Sequence, residues 1–138
     1  ISSLHTTGAA NTIERIIDVF PPEQQQQVRV QLASVLQCIV SQQLIPRVDG
    51  TGRVLAAEVL LSNPSVRNLI LQEKTNQLQN VIFTHAKDGM QSLDASLMNL
   101  LRRGIISPQA ALTYCVDPDY MMREIRLVQP EKPLLIAY

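Results

Sequence analysis

Apolar residues along this chain recur mostly at helical spacing, with one stretch of strand-like segments in the middle. Ile13, Ile16, Ile17 and Phe20 fall at i, i+3, i+4 and i+7, the stripe of an amphipathic helix. Asn11 with Glu14 three residues later predicts a capping box at its start. Pro21-Pro22 ends it, because a proline inside a helix removes a backbone donor and clashes with the preceding turn. Proline is tolerated in a first turn, so a long second helix is expected from Glu23 to Gln43. Val28, Leu32, Val35, Leu36, Ile39 and Val40 form its apolar face in this reading, with Gln24 to Gln27, Arg29 and Gln31 mainly solvated.

The period then changes. Leu44 to Val48 and Arg53 to Leu61 read as strands on either side of Asp49-Gly50-Thr51-Gly52, a hairpin signal because tight turns draw on glycine for positive φ. Asn63-Pro64 starts a short helix through Leu71, and Thr75 to Thr84 reads as another with Leu78, Val81 and Ile82 inward. Gly89-Met90-Gln91-Ser92 turns into a helix striped by Leu93, Leu97, Leu100 and Leu101. It closes on Arg102-Arg103-Gly104, cations at the negative end of the helix dipole followed by a glycine stop. Ser107-Pro108 and Asp117-Pro118 start two more short helices. At the front, Ile1-Ser2-Ser3-Leu4 reads as a strand end that Thr7-Gly8-Ala9-Ala10 breaks. The tail 129–138, with Pro130 and Pro133, reads as loosely held. A strand end, two helices, a hairpin and a run of helices make an α/β order without a complete doubly wound sheet. With no initiator methionine, the chain reads as a fragment.

Composition narrows the function classes. With 138 residues, 46% hydrophobic and 17% charged, the chain has the length and core content of one folded domain. Twelve basic and 12 acidic residues cancel, so nothing electrostatic points to nucleic acid or an anionic membrane surface. No apolar run nears the roughly 20 residues needed to span a bilayer, and no signal-peptide pattern opens the chain. A soluble, cytoplasmic protein is expected. Cys38 and Cys115 lack the short spacing of a zinc site, so no metal is expected. One disulfide between them stays open, while buried free thiols fit better. A phosphate-binding loop needs clustered glycines beside a lysine. The lysines are Lys74, Lys87 and Lys132; Lys74-Thr75 follows Glu73 with no glycine near, so this chain has no phosphate cradle.

Several segments together resemble one family. Leu4-His5-Thr6-Thr7-Gly8-Ala9-Ala10 and Thr12 to Pro21 look like the region following the histidine box of secretion and pilus ATPases. Val40 to Leu44 and Gly52 to Val59 continue the match. Ser65-Val66-Arg67-Asn68-Leu69-Ile70 resembles the A-I-R-N-L-I-R-E signature of the twitching-motility (PilT-like) retraction group, and Gly89 to Asp94 resembles its G-M-x-T-L-D segment. Leu71-Gln72 stand where that group has Arg-Glu. The likeness runs to about Val128, and the upstream Walker A, aspartate-box and Walker B motifs are absent.

The resemblance implies a RecA-like P-loop core remnant over residues 1–62 (strand end plus hairpin), a C-terminal helical subdomain over 63–128 and a tail over 129–138. It implies a parent that is a homohexameric ATPase using ATP and Mg, peripheral to the inner membrane at the pilus base and working against a platform protein there. The isolated chain is expected to bind no nucleotide and to be inactive. His5 is, by resemblance, the γ-phosphate sensor, since an imidazole N–H can donate to an anionic oxygen. On position alone the favoured reading is a strand-end histidine bonded to backbone. Thr6 and Thr7 either assist phosphate contacts or cap the following helix. Arg67 and Asn68 stand outward from a helix whose Val66, Leu69 and Ile70 pack inward, as partner contact or solvated surface. Glu58 is a candidate buried carboxylate in an ion pair, and His85 reads as surface. Two other readings remain: a non-enzymatic helical interaction module, and a related assembly or secretion ATPase, whose usual tetracysteine zinc element this chain lacks.

Overall fold

In a computed structural model of the chain, residues 1–128 are described; the tail expectation falls outside them. The central strands pair as one antiparallel hairpin, β1 (Cys38–Pro46) and β2 (Arg53–Leu61), with Cys38 opposite Leu61 and Pro46 opposite Arg53. Helices α1 (Ala9–Asp18) and α2 (Pro22–Val35) precede it. After it come α3 (Pro64–Leu71), α4 (Leu78–Thr84), α5 (Leu93–Arg102), α6 (Pro108–Tyr114) and α7 (Pro118–Val128).

The bounds of β2 and α3 match the sequence reading, whereas the long second helix does not. It stops at Val35, and residues expected in its last turns form the first half of β1. Ile39, Val40, Leu44 and Ile45 satisfy helical spacing and strand pairing about equally, so periodicity alone does not separate the two. β-branched Ile39 and Val40 favour the strand, and pairing along all of β2 decides it. Val35, assigned above to a buried helix face, is exposed.

Alternation along the hairpin then sets its faces. Ile39, Ser41, Gln43 and Ile45 of β1, with Val54, Ala56, Glu58 and Leu60 of β2, turn towards the helices; Val40, Leu44 and Leu55 turn away and are exposed. At one end of the inner face Leu60 joins Ile13, Ile17, Val66, Ile70, Leu78 and Ile82 in one core. At the other end Ile45 and Ala56 join Leu93, Leu97, Ile106 and Met121 in a second. Each fully buried aliphatic side chain contributes about 1.5–3 kcal/mol. Between the two cores the hairpin presents a polar cross-strand pair, Ser41 and Glu58.

Polar and aromatic contacts fix the later helices in place. Buried Asp94, in the first turn of α5, accepts from the backbone N–H groups of Val116 (2.7 Å) and Asp117 (2.9 Å), fixing the α6–α7 link. The rings of Phe83 on α4 and Tyr120 on α7 meet edge to face with centroids 6.3 Å apart. Gly89 adopts φ 93°, a value that favours glycine, and so turns Gln91 onto the outer edge of β2. There Val59 and Gln91 exchange backbone bonds of 2.8 and 3.0 Å, and the Gln91 amide donates to the Ala57 carbonyl at 2.7 Å.

Other expectations need correction. Residues 1–4 form no strand, since no neighbouring strand among the described residues pairs with them. The capping box is absent: α1 starts at Ala9, Asn11 donates to the Thr7 carbonyl, and Glu14 instead accepts from Arg29 (3.1 and 3.3 Å) and from Thr75 (2.8 Å). Arg29, expected in solvent, is 7% exposed because that carboxylate holds it inward. The segment Thr75–Gln77 is a 3-10 turn leading into α4. Both cysteines are free, and neither is fully buried: Cys38 is exposed on the outer face of β1 and Cys115 is half-buried. The caps at Asn63, Ser107 and Asp117 form as expected, each side-chain oxygen accepting from the N–H three residues on.

Candidate functional site

His5, Thr6 and Thr7 lie in the irregular segment that leads into α1. The His5 side chain is exposed and has no hydrogen-bond partner among the described residues, so the backbone-bonded reading of it is not what the structure shows. Thr12 spends its hydroxyl proton on the Gly8 carbonyl (2.8 Å), so at 2.7 Å Thr6 is the donor to Thr12. Thr6 therefore braces the segment from inside. Thr7 is exposed, with its carbonyl held by Asn11 at 2.9 Å.

Gly8 makes the turn into the helix with φ 84° and ψ 149°, a conformation that favours glycine. Its N–H donates to Ser41 Oγ at 2.9 Å, and the next N–H, of Ala9, donates to Glu58 Oε1 at 2.7 Å. Ser41 and Glu58 are direct cross-strand partners, so one rung of the hairpin accepts two consecutive amides of the segment. The other Glu58 oxygen accepts from the Gln79 amide of α4 at 2.8 Å. No ion pair to Glu58 occurs among the described residues. Its charge is placed against the positive end of α1 and met by two donors, which is how a carboxylate can be only 1% exposed. The expected ion pair of Glu58 is thus replaced by a helix-terminus contact. A groove of about 300 Å³ runs beside this turn, bounded by Thr7, Gly8, Asn11, Glu58 and Gln79. A second, of about 580 Å³, is lined by Ser2 to Leu4 and Thr6 together with Ile39 to Gln42 of β1.

The second group of candidates, Ser65 to Ile70, sits on α3. Val66 and Ile70 are buried and Leu69 is half-buried, while Ser65, Arg67 and Asn68 are exposed. Arg67 donates to Ser62 Oγ at 3.3 Å, and Asn68 accepts from Gln72 at 3.1 Å. None of these six residues lines either groove, and neither does His5 itself. Just past the C-cap of this helix, at Gln72, Glu73 takes φ 58°. Glu73 N–H bonds to the Ile70 carbonyl and Lys74 N–H to the Leu69 carbonyl, the Schellman pattern that usually carries glycine at this position.

Near the segment, the Arg29 guanidinium holds the Glu14 carboxyl below its ordinary range, burial opposes this, and Thr75 adds to the lowering. At the hairpin turn Arg47, with Thr51, holds Asp49 far below the usual carboxylate range. Among the described residues no group of three or more His, Cys, Asp or Glu side chains is placed to hold a metal ion. No helix among them is long and apolar enough to cross a membrane. Ser41 and Gln79 were not visible as site residues in the sequence. Ser41 is a polar residue on the inward stripe of a strand, a signal that appears only once the strand's start is placed correctly.

No family profile matches the chain. Over 109 residues it is 48% identical to a twitching motility protein of Neisseria gonorrhoeae, a match covering 79% of this chain and 29% of that protein. Over 117 residues it is 45% identical to the type IV pilus retraction ATPase PilT of Pseudomonas aeruginosa, covering 85% of this chain and 34% of that one. In structure it is similar to the pilus retraction motor PilT crystallised with bound ADP, with a TM-score of 0.75, 40% identity, and coverage of 87% of this chain and 33% of that one. The chain thus spans about a third of the length of the relatives it matches.

Proposed function

The chain resembles the C-terminal region of a PilT-like pilus-retraction ATPase, and on that premise we propose that it serves in a hexameric motor that hydrolyses Mg-ATP to drive type IV pilus retraction and twitching motility. The observation that carries this reading is the exposed His5 at the head of a segment pinned to the hairpin by Gly8 and Ala9. In this reading His5 donates a hydrogen bond to the γ-phosphate of a nucleotide held by a phosphate-binding loop elsewhere in the motor. Thr6 acts through its brace to Thr12, and Thr7 is free to approach the same anion. The N-terminus of α1 does not supply the phosphate site itself, because Glu58 already occupies its first donor.

Residues 1–62 close the RecA-like core and 63–128 form the helical subdomain. The ring works at the cytoplasmic face of the inner membrane against a platform protein, and the Arg67-Asn68 face of α3 meets a neighbouring part of that machinery. Leu71, 40% exposed, and Gln72 make the end of this face neutral where the retraction signature is charged. The exposure of Arg67 and Asn68 also supports a second reading, a non-enzymatic interaction module that docks through the same helix.

ATP hydrolysis needs clustered glycine amides and a lysine around the phosphates, and this sequence has neither together. Calorimetric titration of the 138-residue chain with Mg-ATP is therefore expected to show no saturable binding and no turnover. Saturable binding or hydrolysis would overturn the assignment of the nucleotide site to another part of the motor.

A further inference from the structure

We propose that Glu58 is a positioning residue for His5: its buried carboxylate clamps the first turn of α1 and thereby sets the direction of the segment that carries the imidazole. The inference rests on the reading of His5 given above, while its own basis is geometric. Between His5 and the helix the chain passes through Gly8, whose positive φ costs a glycine little. Four side-chain attachments hold that turn: Asn11 to the Thr7 carbonyl, Thr6 through Thr12 to the Gly8 carbonyl, Gly8 N–H to Ser41, and Ala9 N–H to Glu58. The first two are local and move with the segment. Ser41 and Glu58 are the anchors outside it, and they share one rung of the hairpin.

Of these two anchors Glu58 is the stronger. Its bond to Ala9 is short and charge-assisted, and such bonds are about twice as strong as neutral ones. The carboxylate also lies at the positive end of α1, where a negative charge is favoured. Gln79 takes its second oxygen, which stops the side chain from rotating away. A glutamine at this position keeps an acceptor for Ala9 but loses the charge. A leucine fills similar space and leaves both the Ala9 N–H and the Gln79 amide without a partner.

The test is NMR on the 138-residue chain and its Glu58→Gln and Glu58→Leu variants, in the absence of nucleotide. In the parent chain the Ala9 amide proton is expected downfield and slow to exchange. Glu58→Gln is expected to shift that proton upfield while leaving it protected. Glu58→Leu is expected to lower Ala9 protection by roughly ten- to a hundredfold and to raise fast motion at His5 to Gly8. Protection in α5 of the second core should not change, which separates positioning from a general loss of stability. Unchanged order at His5 to Gly8 in a folded Glu58→Leu chain would overturn the proposal. Should that variant fail to fold, an Ala9 amide at its parent position in Glu58→Gln would overturn it instead. Because no nucleotide is present, either result is independent of whether His5 meets a phosphate.

Discussion

At the residue scale the main departures from expectation concern charged side chains whose partners are distant in sequence. Arg29 sits among glutamines and reads as surface, yet it is buried against Glu14 of the preceding helix and lies 3.9 Å from Glu73 after α3. That contact bears on a strained position. Glu73 holds φ 58° at the end of α3, where a side chain crowds the backbone and glycine does not. The Glu73 side chain is 65% exposed, so its long contact with Arg29 offsets little of the strain. Glu73→Gly is expected to raise stability by about 0.5–1 kcal/mol, and Glu73→Val to lower it, as read from urea unfolding midpoints. A lower midpoint for Glu73→Gly would show that the Arg29 contact outweighs the strain.

At the element scale, local chemistry placed most helix starts and tertiary pairing moved one boundary. Asn63, Ser107 and Asp117 each precede a proline and each cap their helix through the side chain, as their types and positions predict. α3 depends on such help, since eight residues are too few for a helix to persist alone. Asn63→Ala is expected to cost about 1 kcal/mol, and Asn63→Asp to restore nearly all of it. Thermal unfolding of both variants checks this; equal losses would mean that the cap contributes through something other than its oxygen. The end of α2 had no such marker. Leu36 leaves the helix at φ −59° and ψ 129° with neither glycine nor proline beside it, and only the pairing of Cys38 with Leu61 explains why.

At the scale of the whole molecule, one polar network ties the first core together. Glu14 of α1 accepts from Arg29 of α2 and from Thr75 after α3, so its carboxylate joins three parts of the chain. Arg29 is the main cause of its lowered pKa, which in the unfolded chain lies near the ordinary 4.5. The unfolded state therefore binds the proton first as pH falls. The network's contribution is fully present above about 4.5 and is lost as pH falls below it towards the folded value. Urea midpoints measured from about pH 6 to about pH 3 are expected to converge for the parent and Glu14→Gln. A constant gap between the two curves would show that Glu14 does not titrate against Arg29.

The sequence by itself determined the features that depend on near neighbours: apolar stripes at helical period, caps three residues from the amides they meet, and a glycine-bearing turn between β-prone segments. It also shows that none of its lysines stands beside clustered glycines, the pattern of a phosphate-binding loop. Tertiary structure alone decided where α2 gives way to β1, which way Arg29, Ser41 and Glu58 face, and how the His5 segment is held. The physical reason is distance along the chain. Gly8 and Ala9 are met by side chains 33 and 49 residues away, and those side chains reach them only when strand register puts Ser41 opposite Glu58. A one-residue slip of either strand would turn its member of this pair to the opposite face.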